Sequence, residues 1–250
     1  MTTLRGLAVA SAVAALVAVP VVGSTSAAAV TASAPLSAPA AHHSQHRVVG
    51  PEHIRGLHRA HRVMIVTAAT MHSTHALVRR YHRGPDGRYR RVGGVAHARI
   101  GLAGLSRPKD RHSGDGTTPM GVYRFVFGFG SQPDPGMTGL PWRPLTPGTC
   151  WAGTRADYNR WVHRTPCDSG DEDLWSSEAT AYTDAAVIDF NYHHPVFGRG
   201  SGIFLHRRLP VATHGCVSLN PTALLRTLRW LRPSTRIVIG TPASLRALTR

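Results

Sequence analysis

The sequence predicts a mainly β domain with one helix late in the chain. Short runs rich in Val, Ile, Phe and Tyr recur between turn-forming residues. Gly (25) and Pro (18) supply turns for many short strands. One segment, just after Cys216, carries helix signals at both ends. At 250 residues, the length suits one ordinary domain with processed or flexible ends.

The first segment, 1–29, reads as a secretory signal: Arg5, an apolar run over 7–22, then Ser26-Ala27-Ala28-Ala29. A membrane-spanning helix needs about 20 apolar residues, so membrane contact is expected only through an uncleaved signal. Residues 30–60, rich in Ala, Pro and His, read as a flexible linker. Its histidines show no fixed ligand spacing, so no metal is assigned to them.

The domain is placed at 61–240, with a tail at 241–250. Residues 63–68 are apolar and β-branched, the mark of a buried strand. Runs 74–82 and 89–95 flank Gly84-Pro85-Asp86-Gly87 and read as a hairpin. Further strands are expected at 121–127, 185–192, 202–206 and 236–239. The intervening 128–184, with many Gly, Pro and Trp residues, reads as a long loop that must be functional or stapled. In the helix, Asn220 caps, Pro221 takes the first position and Leu224, Leu225, Leu228 and Leu231 form a stripe that Pro233 stops.

Lys and Arg number 29 against 13 Asp and Glu, a formal charge of +16. Such a surface attracts anions, but neither zinc-finger spacing nor an aromatic RNA-binding signature accompanies it. Nucleic acid is therefore not expected as a partner; an anionic wall polymer suits an exported chain better. No cofactor motif appears, and the oligomeric state is not readable.

In an oxidising compartment three cysteines leave one over. Cys150 and Cys167 lie close together and bracket Trp151, Tyr158 and Trp161, so a bridge between them would staple the long loop. Pairing of either with Cys216 is the alternative that sequence leaves standing. With the first pairing, Cys216 is the unpaired thiol.

Around that thiol the chain becomes chemically specific: Gly202-Ile203-Phe204-Leu205-His206, then Thr213-His214-Gly215-Cys216-Val217-Ser218-Leu219. A cysteine nucleophile needs a nearby base, and His206 and His214 are the candidates. Strand alternation puts Phe204 and His206 on one face, and His214, Cys216 and Ser218 on one face with Val217 and Leu219 toward the core. Gly215 leaves room for a substrate backbone, and the Gly215 and Cys216 amides are expected to serve an oxyanion. His206, His214 and Cys216 could instead hold zinc, but no acidic partner or second ligand pair accompanies them.

His206 followed by Thr213-His214-Gly215-Cys216 resembles the hallmark of the YkuD-like L,D-transpeptidases of bacterial peptidoglycan. Arg99-Ile100-Gly101, Gly114-Asp115-Gly116-Thr117-Thr118-Pro119-Met120-Gly121, and Tyr158-Asn159-Arg160-Trp161 resemble further family segments. The resemblance implies a β-sandwich-like catalytic domain acting on peptidoglycan stem peptides. It implies that Cys216 forms a thioester, releases D-Ala and passes the acyl group to an amine, giving a 3→3 cross-link. His206 would be the base, held by the backbone carbonyl of Arg207, with His214 lining the site and Thr213 and Ser218 beside the substrate. The 206–213 interval is shorter than in many members, and Ser218 stands where many carry Arg. An L,D-carboxypeptidase and a non-catalytic wall-binding domain are the alternative readings.

Overall fold

The computed structural model describes residues 50–57, 60–176 and 180–248. The expected signal and most of the expected linker lie outside them. The strands run β1 (Arg62–Ala68), β2 (His75–Arg83), β3 (Tyr89–Arg99), β4 (Leu105–Ser106), β5 (Thr118–Pro119), β6 (Gly121–Tyr123), β7 (Phe125–Gly130) and β8 (Trp142–Pro144). They continue as β9 (Thr149–Trp151), β10 (Trp161–His163), β11 (Glu172–Asp173), β12 (Ala185–Ile188), β13 (Phe204–Arg207) and β14 (Val217–Leu219). Helix α1 (Pro221–Trp230), strand β15 (Arg236–Gly240) and helix α2 (Pro242–Ala247) end the described chain.

Ten strands form one sheet in the order β6-β15-β1-β2-β3-β14-β13-β12-β7-β8. β6 lies at one end of that order and β7 next to the other, yet only Arg124 separates them in sequence. The sheet must therefore curl until its ends meet, as strongly twisted sheets do. This also explains why the single strand expected at 121–127 is two strands: β6 pairs with β15, whereas β7 pairs with β12 and β8.

Period-2 alternation sorts side chains to the two faces. Met64, Val66, Leu205, Val217, Leu219, Ile237 and Ile239 join one buried cluster, which also takes Leu224, Leu228 and Leu231 from the α1 stripe. Leu225 is only partly buried. Each fully buried leucine contributes about 1.5–3 kcal/mol relative to exposure. Asn220 Oδ1 accepts from the Ala223 N–H at 2.9 Å, so the expected cap is in place. On the opposite face, Phe127, Phe129, Val187, Phe204 and Cys216 pack with Trp151 and Tyr182.

The β2–β3 hairpin pairs Arg83 with Tyr89 across the expected turn, where Gly87 adopts φ +76°, a conformation that favours glycine. β3 runs to Arg99, beyond its expected end. The expected loop 128–184 contains the end of β7 and four further strands, β9 lying between β10 and β11 in a three-stranded sheet. The Cys150–Cys167 bridge links β9 to the turn before β11, with Cα atoms 5.9 Å apart.

Two regions hold more structure than the sequence signals. Ile54, Leu57 and Ala60 are buried with Val63, Ile65 and Leu245, so the packed body begins within the segment read as linker. In α2, Thr241 and Ser244 form a reciprocal capping box, a signal not used in reading that stretch.

Candidate active site

Two parallel neighbours build the site. β13 and β14 pair Leu205 with Val217 and His206 with Ser218, so Cys216, one residue before β14, stands beside Phe204. His206 and Cys216 line one cavity of about 220 Å³ together with Thr213, His214, Glu172 and Tyr182. Leu209 and Val211, from the short interval, contribute to its wall. A larger cavity of about 740 Å³, lined by Thr67, Met71, His75 and Leu245, holds no cysteine. The smaller cavity has both a thiol and an imidazole on its wall.

Cys216 is the free cysteine and is 8% exposed. Its Sγ lies 3.2 Å from the Gly202 carbonyl oxygen, to which the thiol donates, and 3.3 Å from the Phe204 N–H, from which it accepts. The sulfur thus has one partner suited to the thiol and one suited to an anionic sulfur.

His206 is 6% exposed, with Tyr182 edge-on at 5.5 Å between ring centroids. Burial pushes its pKa down from 6.5 to about 4, against a smaller upward effect of its bond to Arg207, so the ring is neutral at pH 7. Nδ1 lies 2.8 Å from the Arg207 carbonyl oxygen. A carbonyl only accepts, so Nδ1 carries the proton and Nε2 keeps its lone pair. In that tautomer Nε2 presents a lone pair to a proton donor, while burial opposes the imidazolium that would result.

The turn carrying the thiol is fixed from below. Thr213 Oγ1 donates to the Cys216 carbonyl oxygen at 2.7 Å and accepts from the Gly215 N–H at 3.2 Å. The Gly215 amide, expected at an oxyanion, is thus engaged by Thr213. Thr213 bridges to Gly101, its carbonyl accepting from the Leu102 N–H at 2.7 Å. Gly215 has φ +141°, and a Cβ there would lie 2.8 Å from the Thr117 carbonyl oxygen and 3.0 Å from Arg111 Nη2. Its glycine is required by conformation and by space.

The other expected residues are placed differently. His214 is exposed and lines both the thiol cavity and an adjoining cavity of about 340 Å³. Ser218 is fully buried, and its Oγ has no hydrogen-bond partner among the described residues. Ser218 pairs with His206 on β13 and with Arg99 on β3. Arg207 meets the site through its carbonyl.

Several residues absent from the expected set hold this geometry. Arg111, 4% exposed and ion-paired with Asp115, lies under Gly200 and Gly215. Burial lowers its pKa, while nearby Cys216, Tyr158 and Tyr123 act in the opposite direction. Asn159, 1% exposed, accepts through Oδ1 from the Trp151 indole at 2.8 Å and the Gly202 N–H at 2.9 Å. Its Nδ2 donates to the Phe190 and Asn191 carbonyls. Asn159 and Asp115 fall in motif segments already quoted, but nothing in the sequence separates these anchors from their neighbours. Among the described residues, no group of three His, Cys, Asp or Glu side chains is placed to hold a metal ion.

The family model of the YkuD L,D-transpeptidase catalytic domain matches residues 73–239, well over half of the chain. No curated protein matches. Among solved structures, the crystal structure of Mycobacterium tuberculosis L,D-transpeptidase 1 aligns at 15% identity and a TM-score of 0.32, covering 72% of this chain. The chain spans 62% of the length of that protein.

Proposed function

The chain belongs to the YkuD family of L,D-transpeptidase catalytic domains, and from that premise we propose that it is a secreted, wall-facing cysteine acyltransferase forming 3→3 peptidoglycan cross-links. The observation that carries this reading is the buried neutral His206, its tautomer set by the Arg207 carbonyl, in one cavity with the Cys216 thiol.

The chemistry follows from that pair. His206 Nε2 takes the thiol proton as Sγ attacks the carbonyl of the third, diamino-acid residue of a stem tetrapeptide. The C–N bond to D-Ala breaks, its nitrogen receives the proton from His206, and a thioester remains on Cys216. An acceptor amine on a second stem attacks the thioester, a new amide forms and the C–S bond breaks. Export is supported by the segment 1–29 and by a disulfide of the kind that persists outside the cytoplasm.

The test is product analysis after incubating the chain with a disaccharide tetrapeptide. The reading requires D-Ala release and a dimer linked between third residues, both absent from Cys216→Ala. Monomeric tripeptide without dimer makes the protein an L,D-carboxypeptidase. Unchanged substrate with a correctly folded chain leaves a wall-binding domain.

A further inference from the structure

The thiol cavity contains a carboxylate that the acylation chemistry does not use. Glu172 is one of three glutamates in a chain of formal charge +16, yet it lines the cavity beside Cys216 and His206. Its position is built by the stapled loop. β11 places Glu172 opposite Trp151 and Asp173 opposite Cys150 on β9, and Cys150 is bonded to Cys167. Tyr182 donates its hydroxyl to Glu172 Oε1 at 2.5 Å, while its ring stands edge-on to His206. Glu172 and Cys216 converge on Gly202: Sγ is 3.2 Å from its carbonyl oxygen, and a Cβ on Gly202 would lie 3.4 Å from Glu172 Oε2.

We propose that Glu172 binds the ammonium group of the acceptor, so that the disulfide-stapled loop selects a primary amine as the acyl acceptor. This rests on the reading of Cys216 as the acyl-forming nucleophile. A primary alkyl amine is an ammonium ion at neutral pH. A chain this basic repels it at long range, so a local anion is what draws it to the thioester. The acceptor enters as the ammonium ion paired with Oε2 and loses one proton to solvent to become the amine. Its nitrogen attacks the thioester carbonyl, the amide bond forms and the C–S bond breaks. The second nitrogen proton passes through His206 Nε2 to the departing sulfur, restoring the thiol. Water requires no such anion, so Glu172 governs the division between cross-linking and hydrolysis.

The test uses the full chain, a disaccharide tetrapeptide as donor and acceptor, and Glu172→Gln and Glu172→Asp variants. Loss of a charge-assisted hydrogen bond should raise the acceptor KM of Glu172→Gln by about tenfold. The tripeptide-to-dimer ratio should rise, and dimer formation should fall by a larger factor than formation of the Cys216 adduct lacking D-Ala. Glu172→Asp should recover most of the dimer. Added salt screens the long-range repulsion in both proteins but the Glu172 attraction in wild type alone, so the ratio of the Glu172→Gln acceptor KM to that of wild type should shrink. An unchanged product ratio in Glu172→Gln, an equal loss in both variants, or adduct formation slowed as much as dimer formation would overturn the assignment. Absence of an adduct in wild type would mark failure of the nucleophile reading itself, and the acceptor assignment would fall with it.

Discussion

Acidification should expose the cost of keeping His206 neutral. Its pKa is about 4 in the folded protein against 6.5 for the free side chain, because burial disfavours the imidazolium. Between these values the unfolded chain binds a proton that the native state refuses, so stability rises with pH across that window. The contribution is fully present above pH 6.5, is lost as pH falls toward 4 and changes little below. At about 1.4 kcal/mol per unit, the full window is worth about 3 kcal/mol, and a descent from pH 7.5 to 4.5 should cost about 2–3 kcal/mol. Urea unfolding of wild type and His206→Gln at both pH values isolates the effect, since glutamine does not titrate. Wild type should lose about 2–3 kcal/mol more than the variant. Equal losses would refute the claim that a buried neutral imidazole is maintained, and with it the account of the base.

Three further expectations concern the frame around the site. Asn159→Ala strands buried partners on Trp151, Gly202, Phe190 and Asn191 and places alanine at φ +60°, so denaturant titration should show a loss of about 3–6 kcal/mol. Gly215→Ala drives a Cβ against the Thr117 carbonyl and Arg111, and should destabilise by about 1–3 kcal/mol while slowing iodoacetamide labelling of Cys216 at neutral pH. Replacing Cys150 and Cys167 together by alanine removes a bridge across 17 positions and should lower stability by about 3 kcal/mol, read from the same titration.

The sequence reveals strands where apolar, β-branched runs are bounded by turn residues, as in β1, the β2–β3 hairpin and β15. It reveals α1 because Asn220, Pro221 and Pro233 mark both ends of a leucine stripe. Its failures share a physical cause. β9, β10 and β11 are two or three residues long and owe their pairing to tertiary contacts and the Cys150–Cys167 bridge, so no local period announces them. The division of β6 from β7 at Arg124 is a demand of sheet closure. The thiol, its imidazole and Thr213 stand out because they lie close in sequence, on β13 or in the segment that leads into its neighbour β14. Glu172, Tyr182, Arg111 and Asn159 reach the same place from distant segments, and only the fold unites them.

The central claim is that Cys216 carries the acyl group, and intact-protein mass spectrometry tests it most directly. Wild type mixed with a disaccharide tetrapeptide should gain the mass of the donor less D-Ala, and peptide mapping should place that mass on Cys216. Cys216→Ala should gain nothing under the same conditions. D-Ala release from the alanine variant, or an adduct mapped to any other residue, would contradict the account.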